Sequence, residues 1–290
     1  MSLSSTNPSS DNNHQPKTDN NIRLLVLDID GTIAGHSNNI NQSVKDAIAA
    51  VQAKGIQVAI ATGRMYRSAL RFHQEIGSTL PLMAYQGAWI QDPNTGEVLR
   101  HWSVSREISH QLLDYFEQPE WRSLLSIHCY INDQLYVREI SKATKFYAKR
   151  SNIKPIPVGD LRQVLEKETT KVLALCDDVQ LVQRLLSDLR RQYTPAQLYL
   201  TTSVDTFLEA TNPVANKGKA VAYLAETILG LQRDNVMTIG DNFNDIEMIQ
   251  YAGLGVAMGN APEPVQAIAD WVAPSIDFDG VVTAIEKFLL

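Results

Sequence analysis

The sequence predicts an α/β fold: a Rossmann-like core with a parallel sheet and an inserted α/β cap domain. Three observations carry that expectation. Strand-length apolar runs that end in polar or glycine turns alternate with helical periodicity from Ile22 to Gly87. The same rhythm returns in the last part of the chain, from about residue 206 to Leu290. The segment between them differs in character, with hairpin signals and helices of its own.

In chain order, residues 1–21 are rich in Ser, Asn, Asp and Pro and bury too little apolar surface to offset their ordering entropy, so they read as a disordered tail. The tail lacks the apolar core of a secretory signal. The run IRLLVLDID from Ile22 to Asp30 is almost continuously apolar until it meets two carboxylates, which suits a central parallel strand buried on both faces. Gly31 and Thr32 then turn the chain. Val44, Ala47, Ile48 and Val51 recur at helix spacing over Gln42–Ala53, and Lys54-Gly55 closes that helix. A strand over Ile56–Ala61 leads into Thr62-Gly63-Arg64, a helix follows near Tyr66–Gln74, and Leu82–Tyr85 is a short strand ending at Gln86-Gly87. This alternation is that of βαβ units with right-handed crossovers.

After Gly87 the pattern changes. Leu124–Tyr130 and Gln134–Arg138 flank Asn132-Asp133 as a hairpin, and helical stretches near Ser105–Glu117 and Val179–Arg191 surround a strand at Lys171–Cys176. The expected organisation is therefore core over 22–87, inserted cap over 88–205 and core again over 206–290. In the last part a helix is expected from Lys217 to Leu229. Val236–Ile239 is a strand ending at Gly240-Asp241, Asp245–Ala252 a short helix, and Leu254–Met258 a strand ending at Gly259-Asn260, with helices near Pro262–Ala269 and Gly280–Leu289.

Composition bounds the class. The 290 residues suffice for two packed domains, and a net charge of −6 without a Lys/Arg block disfavours a nucleic-acid partner. No apolar run is long enough for a membrane span. Cys129 and Cys176 sit in apolar runs and fit no metal motif, which reads as reduced thiols of a cytoplasmic protein or, at most, one disulfide. Nothing in the sequence fixes an oligomeric state.

The chemistry is expected where strands end, because the crevice of an open α/β sheet lies beyond their carboxyl ends. Asp28 and Asp30 follow one apolar strand, Thr62 a second, and Asp241 with Asp245 another. An all-oxygen acidic cluster suits a hard cation, Mg2+ rather than zinc, and would repel itself without one. Lys217 supplies positive charge for a phosphoryl group, and Thr62 adds a hydroxyl and turn amides. Taken singly, Asp30-Gly31 is an ordinary turn, Lys217 a solvated helix residue, and Asp241 or Asp245 a helix cap. Their convergence on one crevice makes a site.

In these motifs the chain resembles the haloacid dehalogenase superfamily, and in their order and long insertion its Cof-type phosphatases, whose large α/β cap lies between the second and third motifs. The resemblance rests on Asp28-Ile29-Asp30-Gly31-Thr32, Ala61-Thr62-Gly63-Arg64, Lys217-Gly218 and Gly240-Asp241-Asn242-Phe243-Asn244-Asp245, and it covers about residues 22–290. It implies that Asp28 is a nucleophile and Asp30 a general acid and base, with Thr62 and Lys217 on the phosphoryl oxygens. It further implies Mg2+ held by Asp28, the Asp30 carbonyl and Asp241, with Asp245 and Asn244 in support. The activity implied is hydrolysis of a small-molecule phosphate ester, first among them sugar phosphates, through an aspartyl-phosphate. A phosphosugar mutase or a noncatalytic ligand-binding module are the alternatives. At Gln86-Gly87-Ala88 the family usually has Asn, and this departure is expected to alter the floor or hinge near the cap more than the chemistry. Cap residues His101, Trp102, His128, Tyr130, Tyr136 and Arg138 are candidates for reading the substrate. His128 and Tyr130, two apart on one strand, share a face expected to be exposed or interfacial.

Overall fold

The computed structural model describes residues 21–290, so the expected tail, Asn21 apart, lies outside the described residues. Strand β1 (Leu24–Leu27) is buried at every position, as a parallel strand covered on both faces must be. Helix α1 (Gln42–Ala53) buries Val44, Ala47, Ile48 and Val51, the stripe its spacing demands. After β2 (Gln57–Ile60) and α2 (Tyr66–Glu75), the short β3 (Leu82–Ala84) meets the end of β2 through an Ala61–Met83 bridge. The turn at Tyr85–Gly87 then leads to β4 (Trp89–Gln91) and β5 (Val98–His101), which pair antiparallel in the order β3-β4-β5.

The next elements form a second layer. Helix α3 (Arg106–Phe116) starts at Ser105, whose hydroxyl accepts from the Ile108 amide. The hairpin of β6 (Ser126–Ile131) and β7 (Gln134–Val137) turns at Asn132 and Asp133, both at positive φ. Then come α4 (Lys142–Ser151), β8 (Ile156–Pro157), β9 (Thr169–Leu175), α5 (Val179–Gln192), β10 (Tyr199–Thr201) and β11 (Phe207–Thr211). Their sheet has the order β10-β11-β9-β6-β7-β8. Because side chains alternate along a strand, Val172, Ala174, Leu208 and Ala210 pack under α3 and α5, whereas Tyr130, Leu173 and Leu175 join the main hydrophobic core.

The chain finally returns through α6 (Lys217–Ala222), β12 (Val236–Gly240), α7 (Ile246–Tyr251), β13 (Leu254–Ala257), α8 (Glu263–Gln266), β14 (Trp271–Val272) and α9 (Gly280–Phe288). The core sheet, in the order β14-β13-β12-β1-β2, is parallel throughout. This is the expected α/β architecture, with a parallel Rossmann-like core and an inserted cap.

Three strands pair away from the segment to which their sequence positions assign them. Strands β4 and β5 pair with β3, not with the cap sheet, while β11 pairs with β9 and β10 inside it. In that sheet β11 buries Leu208 and Ala210 under the cap helices. The helix expected over 217–229 is α-helical only to Ala222 and continues as a wider π turn over Tyr223–Ile228. Both cysteines are free and buried. Among the described residues no helix is long and apolar enough to cross a membrane.

Candidate active site

The central strand β1 delivers Asp28 between its two neighbours. The Asp28 amide donates to the Ile239 carbonyl at 3.1 Å on one side, and the Ala61 amide donates to the Leu27 carbonyl at 3.0 Å on the other. Asp241, just past β12, and Thr62, just past β2, therefore end beside Asp28, although they are far apart in sequence. Gly31 makes the close approach possible. It lies at φ +80°, and a Cβ there would fall 2.0 Å from Asp241 Oδ2.

Lys217, fully buried at the start of α6, donates from Nζ to Asp28 Oδ1 at 2.6 Å and also to Asp245 Oδ1. The other oxygen of Asp245 accepts the amides of Asp241 at 2.9 Å and Asn242 at 3.1 Å, so this carboxylate orders the turn as well as the lysine. Asp241 accepts from Thr32 Oγ1 at 3.4 Å and from Asn260 Nδ2 at 3.2 Å. One oxygen each from Asp28, Asp241 and Asp245 lies within 4.8 Å of the others. Three carboxylates against one ammonium leave an excess of negative charge in a buried place, and an all-oxygen donor set of this kind fits a hard divalent cation.

The electrostatics reflect that crowding. Burial, with Asp245 and Asp30 adding to it against the opposing Lys217, raises the Asp28 carboxyl to about 7. Burial and the charges of Asp28 and Asp245 raise Asp241 to about 8. Burial alone would lower Lys217, but Asp245 and Asp28 more than offset it and hold the ammonium protonated.

Asp30 points elsewhere. Its carboxylate takes Arg64 Nε at 2.7 Å and Nη2 at 2.6 Å, and Arg150 Nη2 from the cap helix α4 at 3.1 Å. Burial would raise it, but the two guanidinium groups win and hold it below the usual carboxylate range. Asn38, at φ +59°, ties the group together: its Oδ1 accepts from Arg64 at 2.6 Å and its Nδ2 donates to the Arg150 carbonyl at 2.8 Å. Thr62 is buried, and its hydroxyl accepts the Arg64 amide at 3.2 Å. Asn244, next to Asp245 in the turn, donates from Nδ2 to Gln86 Oε1 at 3.1 Å.

The sequence thus points to Asp28, Asp241, Asp245 and Lys217, which the fold brings into contact, but it assigns no role to the two arginines on Asp30. Arg64 was inside a quoted motif and its fork geometry was the available signal. Arg150 is 120 residues from Asp30 and carried no local signal. Of the cap candidates, His128 and Tyr130 are fully buried rather than exposed; Tyr130 stacks edge-on with Tyr85 at 5.6 Å. Arg138 pairs with Glu117 and Glu139 on the cap itself.

A family model described as haloacid dehalogenase-like hydrolase matches residues 25–285. The chain is 30% identical over 275 residues to the Bacillus subtilis 5-amino-6-(5-phospho-D-ribitylamino)uracil phosphatase YcsE, covering 94% of this chain and 98% of that protein. It is 28% identical over 268 residues to a second protein of that name from the same organism, YitU, covering 91% and 97%. Among solved structures, a haloacid dehalogenase-like hydrolase from Bacteroides thetaiotaomicron superposes with a TM-score of 0.80 at 26% identity, covering 92% of this chain and 99% of that one.

Proposed function

The chain belongs to the haloacid dehalogenase-like hydrolases, and on that footing we propose that it is a Cof-type, Mg2+-dependent phosphatase of small phosphorylated metabolites, sugar and sugar-alcohol phosphates first. The observation that carries this reading is the buried Asp28–Asp241–Asp245 cluster bridged by Lys217 at neighbouring strand ends. The carrier is suggested by the two relatives named for a phosphoribityl compound.

Asp28, Asp241 and the Asp30 carbonyl are the groups proposed to hold the cation, with Asp245 fixing the turn. When bound, Mg2+ supplies charge that offsets repulsion between carboxylate and phosphate dianion. Asp28 attacks phosphorus, the ester P–O bond breaks, and the leaving alkoxide takes its proton from Asp30. Asp30 then removes a proton from water, the water oxygen attacks phosphorus, and the acyl-phosphate P–O bond breaks to return the Asp28 carboxylate and inorganic phosphate. Lys217 and Thr62 hold the phosphoryl oxygens through both steps. To carry a proton, Asp30 must first leave Arg64 and Arg150, so substrate entry and cap opening belong to one event.

The sheets suggest a division: core over residues 22–101 and 212–290, cap over 102–211, which shifts both junctions from the 88 and 206 expected at first. The test is a rapid quench of the enzyme mixed with radiolabelled sugar phosphate and Mg2+, followed by peptide mapping. Label is expected on Asp28 and absent from Asp28→Asn, while Asp30→Asn lowers turnover about 10²–10⁴-fold. Label on a His or Ser, or full turnover by a verified Asp28→Asn protein, overturns the reading.

A further inference from the structure

We propose that Gln86 is a positioning residue that ties the cap to the catalytic end of the core, so that the seating of the cap and the order of the Asn242–Asp245 turn are set together. The proposal starts from backbone strain. Tyr85 and Gln86 are consecutive non-glycine residues at φ +52° and +60°, a conformation that L side chains adopt only when their surroundings enforce it. The loop after β2 enforces it here: the Tyr85 amide donates to the Arg64 carbonyl and the Gln86 amide to the Thr62 carbonyl, both at 2.9 Å. The strained turn is thereby fastened to the loop that carries Thr62.

Both side chains it presents reach the cap. The Tyr85 hydroxyl donates to Asp133 Oδ1 at 2.7 Å in the β6–β7 turn. Gln86 is fully buried and uses both ends of its amide: Nε2 donates to Glu209 Oε2 of β11 at 3.3 Å, and Oε1 accepts from Asn244 Nδ2 at 3.1 Å. The reverse amide orientation would set Oε1 against the Glu209 carboxylate, so the network fixes the amide. Room for the long side chain exists because residue 63 is glycine; a Cβ there would lie 2.4 Å from Gln86 Nε2.

Glu209 carries the link onward. Its Oε2 also accepts Lys171 Nζ at 3.1 Å, and its Oε1 takes the Ser203 hydroxyl. Lys171 in turn donates to the Gly63 carbonyl at 2.9 Å, beside Thr62. Lys171 and Glu209 are both about 2% exposed, and a buried ion pair is tolerated only while its remaining hydrogen-bonding groups are satisfied. Two of those partners, the Gly63 carbonyl and the Gln86 amide, belong to the core. The seat is therefore discrete: a displaced cap leaves buried charges unsatisfied, while a seated cap holds Gln86, and Gln86 holds Asn244 next to Asp245. An asparagine at 86, one methylene shorter, cannot span from Asn244 to Glu209.

The kinetic half of the test rests on the phosphatase reading; the exchange half does not. Gln86→Glu sets a carboxylate against Glu209. Hydrogen exchange followed by mass spectrometry should rise in Q86E in two places at once, the core turn Asn242–Asp245 and the cap strand Phe207–Thr211. In parallel, kcat/KM for the best sugar phosphate should fall about ten-fold further than for acetyl phosphate, whose carrier is too small to need the cap. Should Q86E fail to fold, Gln86→Asn keeps the amide, removes the span and should give the same two-sided exchange. Exchange that rises on one side only, or on neither, overturns the proposal, as does an equal loss with both substrates. If the wild type hydrolyses neither substrate, the phosphatase reading falls and the exchange result alone decides the coupling.

Discussion

Lys217 offsets only part of the negative charge of the site, and the excess has consequences readable in pH. Without a cation, Asp28 and Asp241 titrate at about 7 and about 8 instead of the ordinary 3.8. For a carboxyl raised in the folded state, the contribution to stability is fully present below its ordinary range and is lost as pH climbs through the raised values. The metal-free protein should therefore lose stability between about pH 4 and pH 8 on account of these two groups. A divalent cation, with Mg2+ the one proposed, would bind the ionised cluster, so its stabilisation should run the other way and be larger at about pH 8 than at about pH 6. Thermal melts with and without Mg2+ at the two pH values check this. An equal rise in Tm at both would count against the cluster as the cation site.

At the scale of elements, short pieces place these residues. Helix α6 has only the six residues Lys217–Ala222 before it widens into a π turn, so its first turn depends on its cap. Asn216 Oδ1 accepts the Lys219 amide at 2.8 Å, satisfying a donor that the helix itself cannot. Asn216→Ala is expected to cost about 1 kcal/mol in denaturant unfolding. It should also lower turnover, because the residue after the cap is Lys217. Unchanged stability with unchanged kcat would show that the first turn is held by packing against α7 instead. The helical start at Lys217 was visible in the sequence, but the π widening was not, since it answers to neighbours and not to local propensity.

For the whole molecule, Arg150 is one of several residues whose contacts close the cleft between cap and core. Arg150 on α4 reaches Asp30 at 3.1 Å and its carbonyl accepts from Asn38 at 2.8 Å. The Arg150 and Asp30 side chains are 39% and 37% exposed, so solvent screens the pair and its worth is that of a surface ion pair, about 0.2–1 kcal/mol. Arg150→Ala should then raise hydrogen exchange around Asn38 and the end of α4 by about two- to five-fold, a modest shift toward opening. Raised salt should reproduce part of the change in the wild type. A variant with wild-type exchange at both segments would mean that the contacts around Tyr85, Tyr130 and Gln86 hold the cap without this pair.

The sequence by itself determined the parallel core and the residues at its strand ends, because a strand buried on both faces must read as a continuous apolar run, and the polar residue that stops it must lie at the crevice. Asp28, Asp241 and Asp245 were legible for that reason, whereas Lys217, at a helix start 189 residues from Asp28, was legible only by its place in the order of motifs. Only the tertiary structure decided which sheet β4, β5 and β11 join, because a short strand of ordinary alternation carries no record of its partner. Only the tertiary structure, too, set Arg150 on Asp30 and stretched Gln86 between Asn244 and Glu209. These are contacts across the cleft between cap and core, made by side chains whose neighbours in sequence say nothing of what lies opposite.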